Sequence, residues 1–256
     1  MGAVGTLAWA AATGGRLSWP ERLGLLADAV ALQVAVLPAQ VRWKLGLGPE
    51  RHPALDPRDI RPPDTSTARA ADTICREVSP PWLVNHCLRA YCWGRILGAQ
   101  RALRPDDEVF YVACLLHDLG LTPRYAAGPT DPPCFAVRGA NAARDFARGV
   151  GLTPMAQERV SEAIALHVNV SVGLEHGPEA HLLNAGTALD VTGLRYWELP
   201  EGAADTIVAR HPRLDMKRLI WDAWKVEADA HPECRGHFLN QFLQFGSRIR
   251  SAPFAE

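Results

Sequence analysis

Four imidazole and carboxylate side chains interrupt apolar segments of this 256-residue sequence. They are His86, the adjacent pair His117 and Asp118, and Asp190. Burying a carboxylate among leucines costs roughly several kcal/mol unless a salt bridge, a helix terminus or a metal ion compensates its charge. Two imidazoles and two carboxylates would together give a mixed nitrogen and oxygen ligand set that suits Zn, Mn, Fe or Co.

The spacing of these four residues indicates how helices would bring them together. Neighbours on a helix diverge by about 100°, so at a helix end both His117 and Asp118 can reach one ion that lies between them. His86 and Asp190 each lie on the apolar stripe of a different predicted helix. On the helix of Asp190, Gly186 would allow a neighbouring helix to approach closely.

Capping and proline signals divide most of the chain into consecutive helices. We predict helices over residues 66–78, 82–103, 108–119, 138–150, 154–167, 179–192, 213–230 and 237–249. No segment shows the alternation that is typical of strands, so the predicted fold class is all-α. Residues 44–65 are rich in proline, glycine and charge and predict a linker. This divides the chain into an N-terminal helical extension at 1–60 and a main domain at 61–256.

Charge and cysteine content restrict the partners and the compartment. Lys and Arg number 27 against 28 Asp and Glu, which argues against a nucleic-acid binder. The six cysteines form no CxxC pair, and Cys87, Cys92 and Cys114 lie in apolar helical patterns. Free buried thiols of this kind are typical of a reducing compartment, so we expect a cytoplasmic protein.

The most apolar long segment, residues 23–39, raises the question of membrane contact. Asp28 and Gln33 interrupt it, and it is shorter than a bilayer-spanning helix. The pattern favours an amphipathic helix that packs on the main body. We therefore expect no membrane partner.

The ordered set His86, His117-Asp118 in "LLHDLG" and Asp190 in "ALDVTGL" resembles the HD superfamily of metal-dependent hydrolases. The segments "NHCLRAYCWG", "FYVACLLHDLG", "CFAVRGANAA", "EAIALH" and "RIRSAPF" are similar to the cyanamide-hydratase-like branch of that superfamily, over about residues 64–254. The resemblance implies an HD-domain helical bundle with a metal site at its centre. It assigns the metal ligands to His86, His117, Asp118 and Asp190.

The resemblance also implies metal-ion catalysis by a hydrolase or hydro-lyase, in which a bound divalent ion makes hydroxide available at neutral pH. Asp118 would then be catalytic as well as a ligand. His167 ends a predicted helix, where an acid/base or substrate contact and a core histidine with a backbone partner both stay open. Members with two metals use extra histidines in the interval that holds His167, His176 and His181, but we expect one metal.

Five further residues are candidates for substrate binding. Arg89 lies one turn beyond His86 and Arg138 begins a predicted helix, and a phosphate substrate would need such cations near the metal. Asn85 would donate or accept a hydrogen bond. Tyr125 and Phe135 lie in or next to the loop after the His-Asp pair, where substrate choice usually resides.

Three functions are compatible with these residues. The first is a hydrolase or hydratase that uses a metal-activated water on a small molecule, with cyanamide hydratase as its closest analogue. The second is an HD phosphohydrolase that acts on a nucleotide or another phosphate ester. The third is a non-catalytic helical binding protein. The sequence leaves a homo-oligomer open.

Overall fold

The computed structural model describes residues 2–47, 55–128 and 131–256, and no strand occurs among them. The all-α prediction is confirmed. The described residues form the helices α1 Leu7–Thr13, α2 Trp19–Lys44, α3 Ser66–Val78, α4 Pro81–Gln100, α5 Asp107–Leu116, α6 Phe135–Gly149, α7 Pro154–Leu166, α8 Pro178–Thr192, α9 Ala203–Arg210, α10 Met216–Ala230, α11 Arg235–Leu243 and α12 Phe245–Arg250.

Side-chain caps fix several of the predicted helix starts. The Thr65 hydroxyl accepts a hydrogen bond from the Ala68 backbone N–H at 3.1 Å, so α3 begins where its sequence predicts. The Thr153 hydroxyl caps α7 in the same way, and Pro154 occupies the first turn, where no N–H is needed. Local capping chemistry therefore determines these boundaries.

The helix that precedes the His-Asp pair is shorter than predicted. We expected it to continue to residue 119, but α5 ends at Leu116 and Leu119–Leu121 form a separate 3₁₀ turn. His117 keeps helical backbone angles, whereas Asp118 has φ −103° and ψ 15°. On a continuous helix the side chains of His117 and Asp118 would point about 100° apart. The break after Leu116 turns both side chains toward the same centre.

Two other predictions of helix number were wrong. The helix α9 was not predicted, and the single helix expected at 237–249 is two helices. They are separated at Gln244, whose φ of 52° lies in the left-handed region and ends α11.

The helices α4 and α8 pack closely because of a glycine. A Cβ atom at Gly186 would collide with the carbonyl oxygen of Ala90 on α4, so only glycine fits at this crossing. The predicted close approach at Gly186 is confirmed. It places His86 of α4 beside Asp190 of α8, and α5 and α7 complete a buried core around them.

The N-terminal helix α2 differs most from its prediction. It runs for 26 residues and buries only Leu25, Ala29 and Val36, so its apolar surface is mostly exposed. By length and composition alone it is long and apolar enough to cross a membrane, contrary to our expectation from residues 23–39. Within the predicted linker 44–65, residues 48–54 lie outside the described part of the chain.

Candidate metal centre

Three of the four predicted ligands converge at the centre of the bundle. His86 comes from α4, while His117 and Asp118 directly follow α5. One ligand atom from each lies within 4.8 Å of the others, and all three residues are buried. The Asp118 Oδ2 atom is 3.4 Å from His86 Nε2 and 3.2 Å from His117 Nε2. Among the described residues this is the group found with metal-ligand spacing.

The surrounding hydrogen bonds fix which nitrogen of each imidazole faces this group. The Nδ1 atom of His117 lies 2.7 Å from the Cys114 carbonyl, and that of His86 lies 2.8 Å from an Asp190 carboxylate oxygen. Since these oxygens only accept, both Nδ1 atoms carry the proton. Both Nε2 atoms therefore present lone pairs toward Asp118, which is the arrangement that metal-binding histidines require.

These two lone pairs face each other at close range. The Nε2 atoms of His86 and His117 are 3.1 Å apart, and the ionised Asp118 lies beside them. Two buried acceptors and a carboxylate at this distance repel one another unless a proton or a cation lies between them. The residues therefore fit a divalent metal ion.

Ionisation follows the same geometry. Burial would raise the pKa of Asp118, yet contacts with His117, His167 and His86 hold that pKa well below its ordinary range. Burial lowers the pKa of His117, which favours its neutral, metal-binding form. Burial also opposes protonation of His86, but Asp118 and Asp190 outweigh it and raise the pKa of His86.

The structure places Asp190 differently from the ligand role we predicted. Its Oδ2 atom accepts from His86 Nδ1 at 2.8 Å and from Arg89 Nη2 at 2.9 Å. Its Oδ1 atom accepts from Arg89 Nε and from Trp93 Nε1, each at 2.8 Å. Four donors use the roughly four lone-pair directions of a carboxylate. Asp190 therefore orients His86 from the side away from the ligand group and contributes no ligand atom to it here.

Neither predicted arginine reaches the centre. Besides its two bonds to Asp190, Arg89 donates to the His211 carbonyl at 2.8 Å and is fully buried. Arg138 donates to the Gly120 and Pro133 carbonyls and pairs with Glu227 at 2.8 Å. Both guanidinium groups are bonded to other protein groups, so no contact here supports the substrate role we predicted for them, and that role stays a prediction.

The other three substrate candidates also contact protein groups. The Asn85 amide donates to the Pro212 carbonyl at 2.7 Å, and the Tyr125 carbonyl accepts from Arg138 at 3.0 Å. Neither residue lines the central cavity. Phe135 is buried and packs edge-on against His167, with ring centroids 5.8 Å apart. It supports the cavity wall without forming it.

His167 adjoins the ligand group, whereas the other two candidate histidines do not. Its Nδ1 lies 2.6 Å from the Ile164 carbonyl, and its Nε2 lies 3.5 Å from Asp118 Oδ1. His181 Nδ1 instead contacts the Val172 carbonyl, and His176 lies beside Glu175. Of the histidines considered for a second metal, only His167 lines the cavity.

A cavity of about 440 Å³ extends from this group toward the protein surface. Its deep end contains the His-His-Asp group together with Asn184 and Thr187, and its walls are apolar. Asn184 and Thr187 were missed by sequence reasoning, although Thr187 precedes Asp190 by three residues and so lies near its face of α8. Residues of α2, among them Val30 and Val34, also line the cavity, and no sequence signal indicated this.

A family model of the HD domain matches residues 83–220, which is more than half of the chain. The chain therefore belongs to the HD domain family, whose members are generally metal-dependent hydrolases. The match lies within the predicted main domain, 61–256. A search of curated proteins found no match.

Proposed function

We propose that this protein adds water to a nitrile-like carbon of an uncharged small molecule, with cyanamide hydratase as its closest analogue. The observation that carries the proposal is a buried metal-ligand group in a largely apolar cavity whose described lining contains one arginine and no lysine. That residue is Arg248 of α12, which is exposed, whereas the metal-ligand group is buried.

The arginines bear directly on the choice of substrate. A phosphate ester carries charge that enzymes neutralise with Arg or Lys close to the metal. Arg89 and Arg138, the two cations we considered for this role, are bonded to protein groups instead. An uncharged substrate needs no such neutralisation. A cavity of about 440 Å³ also has room for a molecule larger than cyanamide.

Each residue of the centre has a distinct role in this proposal. His86, His117 and Asp118 would hold one divalent metal, which lowers the pKa of water and supplies hydroxide at neutral pH. His167 is fixed by the Ile164 carbonyl, so its Nε2 faces Asp118. From there His167 can accept a proton from the attacking water and return it to the substrate nitrogen. Asn184 and Thr187 also line the cavity, and the Asn184 amide N–H groups donate to the His167 and Asn169 carbonyls, which leaves its amide oxygen as the group that could contact substrate.

We expect purified protein loaded with Zn, Fe, Mn or Co to convert cyanamide or a larger uncharged nitrile to the corresponding urea or amide. Mass spectrometry of the products across a nitrile panel would measure this, with phosphate release from a nucleotide panel in parallel. The His117→Ala variant should lose the activity, while the exposed change Met155→Ala should leave it unaffected.

Phosphate release without amide formation would contradict the proposal in favour of the phosphohydrolase alternative. Loaded protein that turns over neither panel would favour the non-catalytic binding alternative.

A further inference from the structure

The outer face of α2 carries an apolar stripe that has no partner among the described residues. Its central members are Leu23, Ala27, Val30, Val34, Leu37 and Val41, all exposed. We propose that this stripe binds the same stripe of a second copy of this chain in an antiparallel helix pair. The proposal is independent of the proposed function.

The spacing of the stripe indicates a helical partner. Successive members are four, three, four, three and four residues apart. This is the 3.5-residue period of the contact between two packed helices. An amphipathic helix that lies on a membrane surface has a broader apolar face. A second helix is therefore the partner that the pattern fits.

The same spacing is symmetric about residue 32, which indicates that the partner is another copy. In an antiparallel pair centred there, Leu23 meets Val41, Ala27 meets Leu37 and Val30 meets Val34. Trp19 and Leu45, both exposed, extend the symmetry by one position at each end. A two-fold interface requires a surface that is complementary to itself, and this stripe meets the requirement.

The size and charge of the stripe suit a stable dimer. Leu23, Val30 and Val34 are 63%, 64% and 66% exposed. A 26-residue helix is about 39 Å long. Side chains this exposed along that length would bury an area that approaches the roughly 800 Å² per partner of a standard protein–protein interface. None of the stripe residues is charged. Asp28 is exposed beside the stripe. At the edge of a dimer its carboxylate would stay in water, whereas insertion of the helix into lipid would have to desolvate it.

The stripe is also continuous with the metal cavity. Val30 and Val34, the central pair, are exposed and line the cavity as well, so the cavity reaches the surface beside the two-fold axis. Contacts at both ends hold α2 in place, from Arg22 to the Pro232 carbonyl and from Trp43 to Tyr196. A second α2 bound along the stripe would cover this side of the cavity.

The mass of the full chain in solution tests the proposal. We expect light scattering during gel filtration to give twice 27.9 kDa at micromolar concentration. The variant Leu23→Glu/Val41→Glu places charges opposite each other in the pair and should raise the dissociation constant at least about 100-fold. The control Met155→Glu/Val226→Glu changes side chains that are 68% and 69% exposed elsewhere and should stay dimeric. Circular dichroism confirms that each variant is folded.

Disulfide trapping tests the orientation, since the native cysteines are buried. A mixture of Leu23→Cys and Val41→Cys chains should cross-link under oxidation, while neither variant alone should. Cross-linking of Leu23→Cys with itself would overturn the antiparallel pair. A monomer throughout the micromolar range, or a glutamate variant that stays dimeric, would overturn the dimer. Binding of the monomer to phosphatidylcholine and phosphatidylglycerol vesicles would assign the stripe to a membrane instead.

Discussion

Replacing Asp190 with asparagine is expected to lower the free energy of unfolding of the metal-free protein by about 3–5 kcal/mol. The carboxylate accepts hydrogen bonds from His86, Arg89 and Trp93, and Arg213 Nη1 lies 3.5 Å from it. The amide removes the charge that compensates the buried Arg89 and turns one acceptor into a donor. The result is an unpaired buried cation, which is among the most destabilising changes that a single substitution can make.

Denaturant unfolding after chelation would measure this loss. The control Asp72→Asn removes a partly exposed carboxylate that pairs with Arg76 on α3, and it should cost less than about 1 kcal/mol. The metal-free state separates the two roles considered for Asp190. A residue that only binds metal contributes little before the metal is added, so an unfolding free energy unchanged by Asp190→Asn would contradict its assignment as the group that positions His86.

Acidification should reduce the difference in the free energy of unfolding between the parent protein and the Asp190→Asn variant. Burial opposes ionisation of Asp190, but Arg89 and His86 hold its pKa well below the ordinary value. A carboxyl whose pKa is lowered by folding stabilises the protein above its unfolded pKa of about 3.9, and that contribution is lost as the pH falls toward the folded pKa. The gap between the two proteins should therefore be largest near neutral pH.

The His167→Ala variant is expected to keep its metal while its kcat falls by about 10²–10⁴-fold. His167 Nε2 lies 3.5 Å from Asp118 Oδ1 at the inner end of the cavity, and the residue is not in the group with metal-ligand spacing. Loss of a proton-transferring group affects the chemical step more than substrate binding, so KM should change less than kcat. Metal analysis and steady-state kinetics on the same preparation, with the best nitrile substrate, would measure both.

The pH profile of kcat distinguishes a proton-transfer role from a structural one. If His167 transfers the proton, its loss should remove one limb of that profile, and His167→Gln should not restore the rate. A metal content that falls together with activity would show that His167 is a ligand. Unchanged kinetics would leave it as a core histidine.

Sequence alone predicted the elements that carry the site better than the contacts within it. The helix that holds His86 follows from proline, capping and apolar spacing, which act locally, whereas the break after residue 116 was not predicted. The donors that surround Asp190 are set by the way α4 crosses α8, which is a feature of tertiary packing. Spacing could indicate that Arg89 lies one turn from His86, but not that its guanidinium turns toward Asp190 and away from the cavity.

The N-terminal helix shows the other limit of sequence reasoning. An apolar run predicts a helix, and a helix in a globular domain usually buries its apolar face. Here Val30 and Val34 are exposed at the edge of the cavity, because α2 uses its other side to pack on the bundle. Packing against residues far along the chain decides which side is buried, and no local pattern contains that information.

Metal analysis of the purified full chain tests the central claim most directly. After incubation with Zn, Fe, Mn or Co and removal of free ion, we expect about one equivalent of one metal per chain, and close to none in His117→Ala and Asp118→Ala. Folded parent protein that binds no metal, or variants that retain a full equivalent, would contradict the assignment of His86, His117 and Asp118 as a metal centre.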